Sequence, residues 1–559
     1  MLVLLLDFYY VPYVCKPRRR LSGLHSWNTM LCSALCWMAA TCWLITSTQT
    51  EFYSSIGQMT DLIYLERNLL LSLKDYIREE QLHIERLQHY VQILQEMSEF
   101  LAQDPEGHVS NPVAAFKLVK RVKWDWMAME QLVRQDPSHG FLANLTMKSQ
   151  FLPANNEIEG IAVGLIRLQE TYQLLPETIA EGRLPGVKYL ETLSPDDSYF
   201  IAKIALKENN LKSALLWMQH TLKQLDEGQE AVVQKTEVLN SLCSLVFQGG
   251  DLAWALELTR QLNTLDPGDV KTISLLDYFE KLATSVKQQS ENKVKGANLE
   301  LFQKPPSIIQ DKDNYEALCR GERIRMTPKR EKNLVCRFNN GNFNPRLLLA
   351  PIKEEEEWDR PLILRYHDFM SDDEIKTIKF LSQPKLARAG VSDRKTGGQF
   401  IAEYRVSKSA WLRGEDHAVV LQLNQRIADV TGLSMESAEP LQVANYGVGG
   451  QYEPHYDFPR IHVNDTVFKL NGSRIATLLI YMSDVEAGGA TVFPDVGAAL
   501  QPIKGTAVFW YNVLKNGEDD YSTLHGACPV LVGSKWVSNK WIRVRGQEFR
   551  RPCGLSETE

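Results

Sequence analysis

The residues best placed to do chemistry begin with His455-Tyr456-Asp457. On a strand, residues i and i+2 project from one face, so this tripeptide presents an imidazole and a carboxylate together. A third donor, His525 in Tyr521-Ser-Thr-Leu-His525, lies 70 residues further on, just before a β-rich run. Two imidazoles and one carboxylate on one face of an octahedron suit a non-haem Fe(II) ion and leave three positions open. A 2-oxo acid can chelate two of these, and dioxygen can take the third. The far carboxylate of such a co-substrate needs a counter-charge, and Lys535, ten residues after His525, can place one inside a barrel. Tyr446 and Thr491 can add hydroxyl hydrogen bonds. His-x-Asp alone occurs often by chance; with His525 and Lys535 at these spacings in a β-rich segment it is specific. His367, His417 and His462 have no such setting and read as surface or loop histidines.

The elements that must position these groups follow Pro361. Pro361–Tyr366 reads as a short apolar strand, and Ser371-Asp-Asp-Glu374 as a capping box that opens a helix. Short β-rich runs then alternate with Gly, Pro and Asp turns, at Leu441–Tyr446, Arg474–Met482, Ala490–Phe493, Gly505–Trp510 and Trp536–Arg543. Many short strands at this spacing predict a sandwich or jelly roll. The N-terminal half is α-helical. Leu62, Leu65 and Leu69, then Ile84, Leu87, Val91 and Leu94, form a heptad-like seam over 51–101 that predicts a helical hairpin or a short coiled coil. Asp104-Pro105-Glu106-Gly107 breaks it, and helical patterns resume from Pro112 to about Pro176. Residues 195–284 resemble tetratricopeptide units: Gly250-Asp251-Leu252 marks a tight inter-helix turn, Ala255 sits where helices cross, and Asn209-Asn210-Leu211 with Ala214 is an earlier copy. A small solenoid of this kind can hold an extended peptide on its concave face. Residues 285–360 read as a linker, with Glu354–Glu357 as a solvated acidic run.

The length of 559 residues allows three or four domains. A net charge of −7 excludes a basic nucleic-acid binder, and 44% hydrophobic residues exclude a mainly disordered chain. Residues 1–50 read as a signal peptide or signal anchor, with basic Lys16–Arg20, an apolar run Met30–Ile45 and polar Thr46–Thr50; a translation start at Met30 is an alternative. Either places the rest of the chain in the lumen. Cys15, Cys32, Cys36 and Cys42 fall in that segment. Of the other five, Cys319 and Cys336 are 17 residues apart and Cys528 and Cys553 are 25 apart, with Cys243 left over. The spacing fits two local disulfides and one thiol in an oxidising compartment, or five buried thiols. Asn144, Asn464 and Asn471 head glycosylation sequons.

The segments YEPHYDFPR, RIATLLIYMSDVEAGGATVFPDVG, KGTAVFWYN, DYSTLHGACPVLVGSKWVSNKWI and RGQEFRRPC closely resemble the catalytic domain of collagen prolyl 4-hydroxylase alpha subunits. The resemblance covers almost all of 361–555. LLWMQHTLKQLDEG and GGDLAWALELTRQLNTLDP resemble the peptide-substrate-binding domain of the same family more loosely. It implies five parts: targeting segment 1–50, dimerising helices 51–180, peptide-binding repeats 195–284, linker 285–360 and a double-stranded β-helix dioxygenase 361–559. It implies that His455, Asp457 and His525 bind iron and that Lys535 binds the distal carboxylate of 2-oxoglutarate, assisted by Tyr446 and Thr491. Disulfides Cys319–Cys336 and Cys528–Cys553 are implied, as are Fe(II), 2-oxoglutarate, dioxygen and L-ascorbate. So is an alpha-2 beta-2 tetramer with protein disulfide isomerase in the endoplasmic reticulum lumen. The terminal Ser556-Glu-Thr-Glu559 carries no retention signal, which agrees with reliance on a retained partner. The implied reaction is 4-hydroxylation of peptidyl proline in procollagen-like substrates. The alternatives are hydroxylation of other proline- or lysine-containing secretory proteins and a non-catalytic peptide-binding subunit. Relatives commonly carry tyrosines on the inner repeat helices; here Leu206, Ser241, Ser244 and Phe247 stand at such positions.

Overall fold

The computed structural model describes residues 52–289, 312–322, 326–392, 399–401, 404–458 and 471–556. The targeting segment with its four cysteines, Asn464 and His462 lie outside the described residues. Among the described residues no helix is long and apolar enough to cross a membrane.

One helix, Ile56–Ala102, spans the heptad-like seam as a single rod of 47 residues and about 70 Å, not as a hairpin of two shorter helices. None of its residues is buried, and Ile63, Leu70, Ile77, Ile84 and Val91 are more than 45% exposed. Asp104 ends the run by capping the short helix Pro105–Val109. The helices Pro112–Val133 and Ser138–Lys148 fold back against the rod, where Tyr76 stacks on Phe141.

The repeats form two helical hairpins, Pro195–Lys207 with Leu211–Asp226 and Lys235–Gln248 with Leu252–Leu265, followed by Val270–Gln289. Gly250 holds φ +85° at the second hairpin's turn, a conformation open to glycine at no steric cost. Ala214 and Ala255 are fully buried at the crossings. Cys243 is a buried free thiol that contacts Thr259. Ser241 and Phe247 are occupied within the domain, Ser241 by the Tyr199 hydroxyl at 2.8 Å and Phe247 by the rings of Phe279 and Tyr278.

The C-terminal part is a jelly roll built on two main antiparallel sheets, with two short two-stranded pairs beside them. The larger runs, edge to edge, Cys336–Asn339, Ile352–Asp359, Leu362–His367, Ala507–Tyr511, Arg474–Tyr481, Trp536–Arg543, Leu441–Tyr446, Ser407–Leu412 and Ala387–Arg388. The smaller runs Ala498–Leu500, Thr491–Phe493, His525–Ala527 and Tyr452–His455. Side-chain alternation divides the large sheet's residues between two cores. Ala476, Leu478 and Ile480 pack with helices Asp372–Ser382 and Ala418–Thr431, while Leu479 and Tyr481 join Tyr446, Phe493, Trp510 and Val537 between the sheets. Ser371 and Glu374 form the expected capping box.

Residues 285–360 are not simply a linker. Helix Lys312–Cys319 packs its Tyr315, Leu318 and Cys319 on Val492 and Ala499 at the back of the small sheet. The acidic run lies inside the strand Ile352–Asp359. Glu354 is buried and pairs with Arg337 and Asn339, Glu357 pairs with the buried Arg365, and Glu355 meets His367. These ion pairs and hydrogen bonds occupy carboxylates that look solvated when read along the chain. The disulfide also differs from the expected local pairing. Cys319 bonds Cys528, 209 residues away, because the helix carries Cys319 to the end of the strand His525–Ala527; Cys336 and Cys553 are exposed free thiols.

Candidate active site

His455 ends one strand of the small sheet and His525 begins its neighbour, and the two residues stand directly opposite in register. Asp457 lies just past the strand end yet still turns to the same side. The ligand atoms of His455, Asp457 and His525 all lie within 4.8 Å of one another. Nε2 of His455 is 3.9 Å, and Nε2 of His525 3.7 Å, from the Asp457 carboxylate. Each Nδ1 donates to a backbone carbonyl two residues earlier, Glu453 at 2.8 Å and Thr523 at 2.9 Å, which leaves both Nε2 lone pairs facing the cluster. Asp457 Oδ2 accepts a 2.6 Å hydrogen bond from the Thr477 hydroxyl, which in turn accepts from Asn512 at 2.9 Å. The large sheet thus braces the carboxylate from the side opposite the histidines.

Burial by itself would raise the Asp457 carboxyl. The imidazoles of His525 and His455, the Arg474 guanidinium and the Thr477 hydroxyl outweigh it and hold the group below the usual carboxylate range. Burial, reinforced by His525, pushes His455 down, so it stays neutral with its lone pair available. A buried carboxylate beside two imidazoles whose Nε2 atoms face it is the donor set of a divalent cation site.

Lys535 is 1% exposed, lies over the Tyr446 ring 5.1 Å from its centroid, and its Nζ has no hydrogen-bond partner among the described residues. Burial pushes its ammonium down to about 7. The indole N–H groups of Trp510 and Trp541 are buried and unpaired as well. All three side chains line the same cavity as His455, Asp457 and His525. Three unanswered donors in one cavity suit an oxygen-rich anion. Thr491 faces this cavity too, with its hydroxyl accepting from Tyr481 at 2.8 Å; burial raises both Tyr481 and Tyr446 to about 12 and keeps them protonated donors. Every site residue singled out from the sequence therefore converges here. His367 instead bonds Glu355, and His417 caps helix Ala418–Thr431 through Nδ1.

Four lining or flanking residues were missed. Tyr452 stacks on His455 with centroids 3.6 Å apart, and Trp510 meets His525 edge-on. Arg474 lies over Trp541 at 3.8 Å, clamps Glu439 with two bonds of 2.7 and 2.9 Å, and comes within 3.9 Å of Asp457. The signal for Trp541 was in the strand period, since Val537, Asn539 and Trp541 alternate along the strand that Lys535 immediately precedes, and all four line the cavity.

Three family models match the chain: "Prolyl 4-Hydroxylase alpha-subunit, N-terminal region" over residues 55–186, "Prolyl 4-hydroxylase peptide-substrate-binding domain" over 195–285 and "2OG-Fe(II) oxygenase superfamily" over 441–543. The chain is 51% identical to prolyl 4-hydroxylase subunit alpha-2 of Gallus gallus, over 92% of this chain and 97% of that one. It is 49% identical to prolyl 4-hydroxylase subunit alpha-1 of Homo sapiens, over 91% and 96%. A solved structure of viral collagen prolyl hydroxylase from Paramecium Bursaria Chlorella virus-1 with 2OG is 26% identical over 32% of this chain and 95% of that one, with a TM-score of 0.27. This chain belongs to the prolyl 4-hydroxylase alpha-subunit family.

Proposed function

We propose that the chain 4-hydroxylates peptidyl proline and couples this to oxidative decarboxylation of 2-oxoglutarate, with His455, Asp457 and His525 holding Fe(II). The observation that carries this reading is the convergence of three ligand atoms within 4.8 Å beside an unpartnered, buried lysine ammonium. Bound Fe(II) supplies the activation of dioxygen that 2-oxoglutarate decarboxylation to succinate and carbon dioxide drives. The protein's own contribution is positional and electrostatic. Thr477 fixes Asp457 Oδ2, and the Glu453 and Thr523 carbonyls fix the two ring orientations. Lys535 takes the distal carboxylate of 2-oxoglutarate, assisted by the Tyr446 and Thr491 hydroxyls. The apolar walls of Leu479, Trp510 and Val537 exclude bulk water.

The repeats of 195–284 present a proline-rich peptide, and the exposed apolar residues of helix Ile56–Ala102 pair with a second copy within 51–180. The family membership supports protein disulfide isomerase as beta subunit, L-ascorbate as reductant and residence in the endoplasmic reticulum lumen. The engagement of Ser241 with Tyr199 and of Phe247 with Phe279 favours a substrate preference shifted away from plain procollagen repeats. The test is succinate release and product mass on a panel of proline-rich peptides, using the chain co-expressed with protein disulfide isomerase. Succinate without hydroxyproline, or no succinate at all, contradicts the reading.

A further inference from the structure

Asn445 is fully buried on the strand Leu441–Tyr446, and all four hydrogen-bonding valences of its amide are used. Oδ1 accepts from the Ser55 hydroxyl at 2.7 Å and from the Gly57 backbone N–H at 2.8 Å. Nδ2 donates to the Lys535 carbonyl at 3.1 Å and to the Ser534 hydroxyl at 3.3 Å. The orientation of the amide is fixed, because the Gly57 N–H can only donate and the Lys535 carbonyl can only accept. Ser55 is itself the N-cap of helix Ile56–Ala102, accepting from Gln58 N–H. One side chain thus ties the first turn of the long helix to the backbone of Lys535. The approach is close on both sides. A Cβ on Gly57 would stand 2.6 Å from the Trp536 ring, and one on Gly447 1.8 Å from the Tyr53 carbonyl. The Tyr446 N–H also donates to the Lys535 carbonyl at 3.1 Å, so both residues flanking this junction hang on the same carbonyl.

We propose that Asn445 is a positioning residue through which the start of helix Ile56–Ala102 sets the backbone at Lys535 and so tunes the site's affinity for a dicarboxylate co-substrate. The inference rests on the assignment of Lys535 as the carboxylate anchor. The Lys535 ammonium lies over the Tyr446 ring and has no hydrogen-bond partner among the described residues to aim it, so its direction is set largely by its backbone, and Asn445 fixes that backbone from the helical side.

The test compares full-length wild type with Asn445→Ala, Asn445→Asp, Ser55→Ala and Lys535→Ala. The readouts are anaerobic calorimetric binding of 2-oxoglutarate to the Fe(II)-loaded protein, KM for 2-oxoglutarate, KM for peptide, and kcat. Asn445→Ala is expected to weaken 2-oxoglutarate about five- to tenfold, with kcat and peptide KM within about twofold. Asn445→Asp keeps the acceptor for Ser55 and Gly57 but loses the donors to Lys535 and Ser534, and should shift in the same direction. Ser55→Ala should shift about two- to threefold. Unchanged 2-oxoglutarate affinity in Asn445→Ala, alongside a loss in Lys535→Ala, overturns the positioning role and spares the anchor. Unchanged affinity in Lys535→Ala overturns both. If Asn445→Ala fails to fold, Ser55→Ala decides, and wild-type affinity there overturns the proposal.

Discussion

His455 and His525 face each other across an antiparallel strand pair with ring centroids 4.5 Å apart, and each ring is fixed by the carbonyl two residues before it. The same local device, repeated on neighbouring strands, aims two Nε2 atoms at one point. Replacing either histidine, or Asp457, with alanine should lower 2-oxoglutarate turnover on the order of 100-fold or more while the thermal melt persists. Succinate quantification checks this, and appreciable succinate from any of the three variants removes that residue from the ligand set.

Thr477 offers a milder perturbation, since its hydroxyl bonds Asp457 and Asn512 without being a candidate ligand itself. Thr477→Val should weaken iron binding about 10- to 100-fold. It should also destabilise the fold by about 1–3 kcal/mol, because Asn512 loses its buried acceptor. Iron titration and a melting curve report the two effects separately.

Lys535 gives a pH signature. Its ammonium is pushed down to about 7 by burial, so below pH 7 the free site is already charged, whereas above it a proton must be taken up as the carboxylate binds. KM for 2-oxoglutarate should therefore rise with pH above 7, and the binding enthalpy at pH 8 should depend on the buffer's ionisation heat. The same shift acts on stability. Between pH 7 and about 10.5 the unfolded chain binds more protons than the folded one, so this residue's contribution becomes more favourable as pH rises through that window. At pH 7 and below the penalty is fully present and reaches up to about 5 kcal/mol. Lys535→Met should thus raise the melting temperature of the ligand-free protein at pH 7 while weakening 2-oxoglutarate binding and flattening its pH dependence.

The Cys319–Cys528 bond closes a loop of 209 residues. In the chain-entropy treatment a loop of that length is worth about 5 kcal/mol. Peptide mapping of non-reduced protein should recover this cross-link, with Cys336 and Cys553 open to alkylation. Mapping that recovers Cys319–Cys336 and Cys528–Cys553 instead contradicts the pairing. Cys528→Ser should lower the melting temperature and release helix Lys312–Cys319 from the small sheet.

What could be read directly from the chain was whatever is local. The strands Leu441–Tyr446 and Trp536–Arg543 follow from their β-rich runs, the capping box from Ser371 and Glu374, and the His-x-Asp pair from a period of two. What escaped depends on partners distant in sequence. Four consecutive glutamates lie within a strand, paired on both sides, where Arg337, Arg365 and His367 sit beside them. The disulfide partner of Cys319 is chosen by a helix docking on a sheet, which spacing cannot encode. Arg474 opens a mainly apolar strand, and only the fold reveals that it bridges Glu439, Trp541 and Asp457. The seam over 51–101 leaves a helical hairpin and a short coiled coil both open, and the backbone, unbroken from Ile56 to Ala102, rules out the hairpin.

The most direct test of the central claim is an anaerobic titration of Fe(II) and then 2-oxoglutarate into the full-length protein, followed by the weak charge-transfer absorption of the chelate. Wild type should develop the band at one equivalent of each, Asp457→Ala should not, and Lys535→Ala should require several-fold more 2-oxoglutarate. A full band in Asp457→Ala at one equivalent, or none in wild type, would contradict the assignment of His455, Asp457, His525 and Lys535 as the iron and co-substrate site.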